Sequence, residues 1–212
     1  MDLVFDDLTD AYLGQAEVVR RLVESVDDFS VPTRIEGWSV GVLVGHLSTA
    51  IEALWRWSGE AVGDGVELDA VSYWTPVAAF ADGSSDWAIS YAAGRSDSVL
   101  GADLTAALDE GAKFLGAASP GTIVTLPMGG ARLLFDQFLA TRVLEMTVHG
   151  LDLAAALVAD GSPAPCAASV TASLLDMRLD GPRPSDLTDD VAWIEAGTGR
   201  STHDDARLPV LV

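Results

Sequence analysis

The chain has 212 residues, 49% of them apolar and 21% charged, the balance of an ordinary globular protein rather than a disordered or fibrous one. Its 12 basic residues face 32 acidic ones, a net charge of −20, and such a field repels phosphate backbones and anionic lipid, which argues against a nucleic-acid or membrane-surface partner. The single cysteine, Cys166, permits no intrachain disulfide, no basic residues precede an apolar run at the N-terminus, and no apolar stretch approaches the roughly 18 residues of a spanning helix; together these point to the reducing cytosol.

Residues 6–27 are expected to form the first helix. Leu8, Tyr12, Val19, Leu22, Val23 and Val26 recur at close to the helical period, with Asp6, Asp7 and Asp10 early and Arg20 and Arg21 late, as the helix dipole prefers. After the break at Val31-Pro32, Ser39 is a suitable N-cap for a second helix over 39–60. Gly41 and Gly45, one turn apart, leave a strip where another helix can approach, and Gly63-Asp64-Gly65 ends the segment. Residues 66–96 carry little periodic signal; 71–81 is apolar and aromatic, and 84–94 suggests a short helix. Ser96 is expected to cap a third main helix over 97–117. Residues 119–130 read as a loop with an extended piece at Ile123–Leu126, and 131–159 as the fourth and strongest helix. A fifth helix over 165–179, a linker at Gly181–Pro184, a short helix over 187–196 and an extended tail at 208–211 complete the chain. Four amphipathic helices predict an all-α, antiparallel four-helix bundle over 1–162, with a small C-terminal extension over 163–212.

Three histidines are available: His46 on the second helix, His149 on the fourth and His203 in a polar tail. Glu145 precedes His149 by four residues, so the two project about 40° apart on one helix face. A carboxylate on an apolar helix is costly unless paired or bound to a cation. Two readings stand: a Glu145–His149 hydrogen bond at a helix surface, or two ligands of one metal with His46 as the third. Glu52 lies about 240° round the helix from His46 and is a poor co-ligand. Asp152 is nearly in line with Glu145 and suits either an outer position or an alternative ligand; Arg142, three before Glu145, suits a salt bridge to it or to another acid. Cys166 lies among prolines with nothing to depress its pKa, so it reads as structural or incidental. Trp55, Trp57, Trp74 and Trp87 suit either a pocket mouth or core and rim packing, and His203 reads as solvated surface.

The stretch Gly37-Trp38-Ser39-Val40 followed by Leu43-Val44-Gly45-His46-Leu47, and the stretch Thr141-Arg142-Val143-Leu144-Glu145-Met146-Thr147-Val148-His149-Gly150-Leu151-Asp152-Leu153-Ala154, resemble the second-helix and fourth-helix motifs of the mycothiol-dependent maleylpyruvate isomerase family. That family belongs to the DinB-like metal-binding bundles. The resemblance implies a divalent metal, zinc or else nickel, held by His46, Glu145 and His149, with mycothiol as the thiol cosubstrate of a transferase or isomerase. Val42 stands where the family commonly has an acidic residue, one turn before the metal histidine. The founding isomerase carries a full C-terminal α/β domain, whereas here the ending resembles that of shorter members, so maleylpyruvate isomerisation itself is not carried over. Two imidazoles and one carboxylate leave an open position on zinc, the pattern of a catalytic site, and an open zinc lowers the pKa of a bound thiol. The expected partners are a small-molecule thiol and a small-molecule substrate, with the chain as monomer or homodimer; a non-enzymatic metal-binding or interaction module is the alternative.

Overall fold

Each amphipathic segment needs a partner for its apolar face, and the computed structural model, which describes residues 4–59, 65–78, 81–127 and 129–211, joins them in one ring. Among the described residues the elements are α1 (Phe5–Glu24), α2 (Val40–Arg56), β1 (Ser58–Gly59), α3 (Trp74–Ala78), α4 (Ala81–Ala93), α5 (Asp97–Leu115), β2 (Ile123–Thr125), β3 (Arg132–Leu134), α6 (Phe135–Leu157), α7 (Pro165–Arg178) and α8 (Asp190–Gly197). Helices α1 and α2 each pack against both α5 and α6, which closes the expected bundle. The faces are the predicted ones: Leu8, Tyr12, Val19, Leu22 and Val23 of α1 are buried, as are Leu43, Leu47, Ile51 and Leu54 of α2. No helix among the described residues is long and apolar enough to cross a membrane.

Several boundaries differ from the sequence reading. The Ser39 hydroxyl does accept from the Val42 amide at the start of α2, but α2 stops at Arg56 rather than at 60. Ser58 and Gly59 pair with Val124 and Ile123 instead, and a backbone committed to a ladder cannot also continue a helix. Of the predicted stop at Gly63-Asp64-Gly65, residues 63 and 64 lie outside the described residues. The fourth helix starts at Phe135 rather than 131, because Arg132–Leu134 pairs antiparallel with Ile123–Thr125. A short apolar run such as Arg132-Leu133-Leu134 fits strand and helix alike, and only the distant partner decides. Ser96 sits at the start of α5, but its hydroxyl meets the Ser98 hydroxyl at 3.1 Å and makes no capping bond. The weakly periodic 66–96 segment holds α3 and α4, and α4 is the expected 84–94 helix with an earlier start. Helix α4 reaches α2 at the predicted glycine strip: a Cβ on Gly45 would stand 2.9 Å from the Tyr91 ring.

The C-terminal segment packs onto the bundle. Helix α7 lies against α1 and α6, and α8 lies against α7. Trp193 of α8 is fully buried and donates from Nε1 to the Ala172 carbonyl. The amides of Val210 and Leu211 both donate to the Gly197 carbonyl, which fixes the expected tail against the end of α8.

The buried Tyr12 hydroxyl has no hydrogen-bond partner among the described residues. Burial pushes its pKa up, and Gly111 makes room for it, since a Cβ there would stand 2.1 Å away. Tyr12→Phe removes an unpaired buried hydroxyl while keeping the ring, so urea unfolding is expected to show a gain of about 1 kcal/mol. A loss of similar size would mean that the hydroxyl is hydrogen-bonded to water.

Candidate metal centre

The contact between α2 and α6 brings His46 onto the face that carries Glu145 and His149. One ligand atom from each lies within 4.8 Å of the others. The Glu145 Oε2 atom stands 3.4 Å from His46 Nε2 and 3.3 Å from His149 Nε2. Ligands at about 2.0–2.1 Å from a tetrahedral zinc are separated by about 3.3–3.4 Å, so these two spacings suit a shared ion. Among the described residues this is the group of three or more metal-ligating side chains that lies close enough for one ion. The three side chains are only 13–15% exposed, so the carboxylate is mostly withdrawn from water and needs a cation.

The charges are shared unevenly. Burial alone would raise Glu145, but its hydrogen bonds to the two imidazoles and the nearby Arg142 charge outweigh it and hold the carboxyl well below the usual range. Burial wins at His46 and lowers its pKa despite Glu145. At His149 burial also acts downward, but the hydrogen bonds and charges of Asp152 and Glu145 override it and push the imidazole up to about 9. His149 Nδ1 lies 2.9 Å from Asp152 Oδ2. Donation from Nδ1 to that carboxylate leaves Nε2 directed at Glu145, the arrangement that orients a metal-binding imidazole and raises its basicity. Asp152 is therefore an outer partner of His149 and not one of the clustered ligand atoms. It is fully buried. Burial would raise it, yet its bonds to His149 and Arg200 hold it far below the usual carboxylate range.

Arg142 is buried and does not hydrogen-bond Glu145; its nearest approach is 3.8 Å. Its guanidinium donates to the Ala50 carbonyl, the Thr141 hydroxyl and the Tyr73 hydroxyl and lies 4.6 Å from the centre of the Phe138 ring. It thereby ties α6 to α2 and to the residues before α3, and places a fixed positive charge beside the carboxylate.

A cavity of about 620 Å³ opens from the cluster, with His46, Glu145 and Arg142 on its wall. Trp57, Tyr73, Val77, Trp87 and Tyr91 supply much of the rest. This volume lies within the roughly 300–1,000 Å³ of small-molecule pockets. Of the four tryptophans singled out from sequence, Trp57 and Trp87 line the cavity. Trp74 is buried edge-on against Tyr73, at 4.9 Å, and Trp55 is partly buried against the core. Glu52 lines the cavity but pairs with Arg56 at 2.8 Å, as its poor angle to His46 predicts. Cys166 is exposed on α7. His203 is not simply solvated: Nε2 meets Asp186 at 3.1 Å and Nδ1 accepts from the Asp205 amide.

Two features escaped the sequence reading. Trp38 packs against both imidazoles, with ring centroids 5.1 Å from His46 and 6.2 Å from His149, and is held by its Nε1–H on the Ser85 hydroxyl at 2.8 Å. Arg34 and Arg200 both donate to Asp152. Trp38 lies in the first quoted motif and Arg200 in the chain ending, but neither has a spacing that betrays its contact.

Residues 13–154 match the family described as Mycothiol maleylpyruvate isomerase N-terminal domain. No curated protein and no solved structure matches the chain. The match spans most of the chain and contains the whole clustered triad, so the chain belongs to that family.

Proposed function

We propose that this member of the mycothiol maleylpyruvate isomerase N-terminal domain family is a divalent-metal-dependent transferase or isomerase that uses a small thiol of the mycothiol type on an apolar small molecule. The observation that carries this reading is the joining of a two-imidazole, one-carboxylate donor set to a cavity of about 620 Å³ with aromatic walls. His46, Glu145 and His149 would hold the ion, with zinc or nickel suiting their nitrogen and oxygen donors. When bound, such an ion supplies a Lewis acid with an open position that lowers the pKa of a coordinating thiol.

The chain's own residues do the rest. With an ion bound, Asp152 would accept from His149 Nδ1–H, which would leave the Nε2 lone pair to the ion. Arg142 keeps a positive charge on the cavity wall, where an anionic sulfur or an enolate would gain from it. Trp57, Trp87 and Tyr91 offer flat apolar surface to the carbon skeleton of the acceptor and exclude water from it. The chain's own thiol, Cys166, lines none of this cavity, so the nucleophile comes from a cosubstrate. This chemistry fits a reducing cytosol and needs no macromolecular partner.

A second reading is a metal-binding module without turnover. It is favoured by Val42, a buried apolar residue one turn before His46, which leaves that imidazole without an acid from its own helix. Zinc-loaded protein incubated with mycothiol and a panel of electrophilic apolar acceptors separates the two. The enzyme reading expects thiol consumption that stops on chelation. Quenching of tryptophan fluorescence by the thiol without turnover would favour the module, and no thiol binding at all would contradict the proposal.

A further inference from the structure

We infer that the C-terminal segment completes the metal centre, with Arg200 acting as a positioning residue that fixes the Asp152 carboxylate and, through it, His149. The inference rests on the metal reading above. Arg200 itself lies outside the 13–154 match, whereas Asp152 and His149 lie within it.

Asp152 is fully buried and its two oxygens receive four donors. Oδ2 meets His149 Nδ1 at 2.9 Å and Arg200 Nη2 at 2.9 Å; Oδ1 meets Arg34 Nε at 2.5 Å and Arg200 Nε at 3.2 Å. Arg200 therefore grips both oxygens with a planar fork, which fixes the plane of the carboxylate as well as its position. Arg34 touches a single oxygen and fixes the plane less well. Helix α6 brings Asp152 near His149 by the i, i+3 spacing, but the His149 contact engages one oxygen alone and does not fix the carboxylate's plane.

Arg200 arrives by a specific backbone device. Helix α8 ends in a turn in which the Gly199 amide donates to Ala196 and the Arg200 amide to Glu195. Gly199 takes φ 73°, a left-handed conformation that glycine adopts without cost and that reverses the chain at a helix end. The reversal aims Arg200 back at the bundle, and its Nη1 is clamped on the Thr198 carbonyl at 2.8 Å. The same helix end supplies Glu195, whose two oxygens accept from Arg34 Nη1 and Nη2 at 2.8 Å each. Two guanidinium groups thus balance two carboxylates, and the His149 Nδ1–H completes the set. A mere staple holding α8 to the bundle would not need a forked grip on the one carboxylate that orients His149.

Full-length protein is titrated with zinc in competition with a chromophoric chelator. Wild type is expected to bind, and Arg200→Gln to bind about 10- to 100-fold more weakly, the usual effect of losing an outer partner of a metal ligand. In an Asp152→Asn background the same Arg200→Gln change is expected to add less than about threefold, because Arg200 acts through that carboxylate. Should Arg200→Gln fail to fold, Arg200→Lys keeps the charge but loses the fork, and the same coupling to Asp152→Asn is read from it. Equal zinc affinity in wild type and the Arg200 variant overturns the inference, including the case where only the urea midpoint falls. An equal loss in both backgrounds overturns it too. No zinc binding by wild type overturns the metal reading itself, a distinct result.

Discussion

His149→Ala is expected to abolish metal binding and any thiol-dependent turnover together, while far-UV circular dichroism retains most of the helical signal. The variant keeps His46 and Glu145, and two protein ligands are too few to hold a divalent ion at ordinary concentrations. The expected loss of affinity exceeds the roughly 10- to 100-fold that follows removal of an outer partner. Helicity survives because the bundle does not rest on this ligand. His149 is a partly exposed side chain beside Glu145, whereas the contacts of α6 with its neighbours are made by residues such as Phe135, Phe138, Leu139, Val143 and Leu153, all fully buried. Asp152 keeps its two guanidinium partners in the variant, so no buried charge is left alone. Retention of wild-type metal content would remove His149 from the ligand set. Outright unfolding on metal loss would make the site structural instead.

Trp193→Ala is expected to cost about 3–5 kcal/mol in urea unfolding, the range for truncating a large buried aromatic. The ring is fully buried, with the Arg183 guanidinium 5.3 Å from its centre and its Nε1–H on the Ala172 carbonyl. Truncation leaves a cavity between α7 and α8 and removes the indole's hydrogen bond to α7. Such a loss is a large part of the roughly 5–15 kcal/mol by which a domain of this kind is stable. Because α8 carries Glu195 and its C-terminal turn carries Arg200, the variant is also expected to bind zinc more weakly and to be cut faster by protease between residues 180 and 212. A change below about 1 kcal/mol would show that α8 contributes little to the fold.

What could be read from sequence follows the range of the interactions. The buried faces of α1 and α2 were legible because apolar spacing is a local property, as was the Ser39 cap. The start of α6 was not, because Arg132–Leu134 becomes a strand only through its pairing with Ile123–Thr125. The Glu145–His149 pair was legible from one turn of helix, and His46 joined it through its motif and a family resemblance. The Asp152 cluster was opaque. Its arginines come from 118 residues before and 48 residues after in the chain, and a surface loop arginine looks the same whether it meets water or a buried carboxylate. Arg142 is an intermediate case: its i, i+3 spacing to Glu145 does give an ion pair, at 3.8 Å, but the guanidinium's hydrogen bonds go to carbonyl and hydroxyl acceptors that the spacing does not reveal.

On the proposed reading, His46, Glu145 and His149 hold one divalent ion. Elemental analysis of protein purified without chelators, repeated after incubation with zinc and desalting, tests it most directly. About one zinc or nickel per chain, the content of a single three-ligand site, is expected in wild type after zinc loading, and near zero in His46→Ala and His149→Ala treated alike. A wild-type metal content near zero that added zinc does not raise would contradict it.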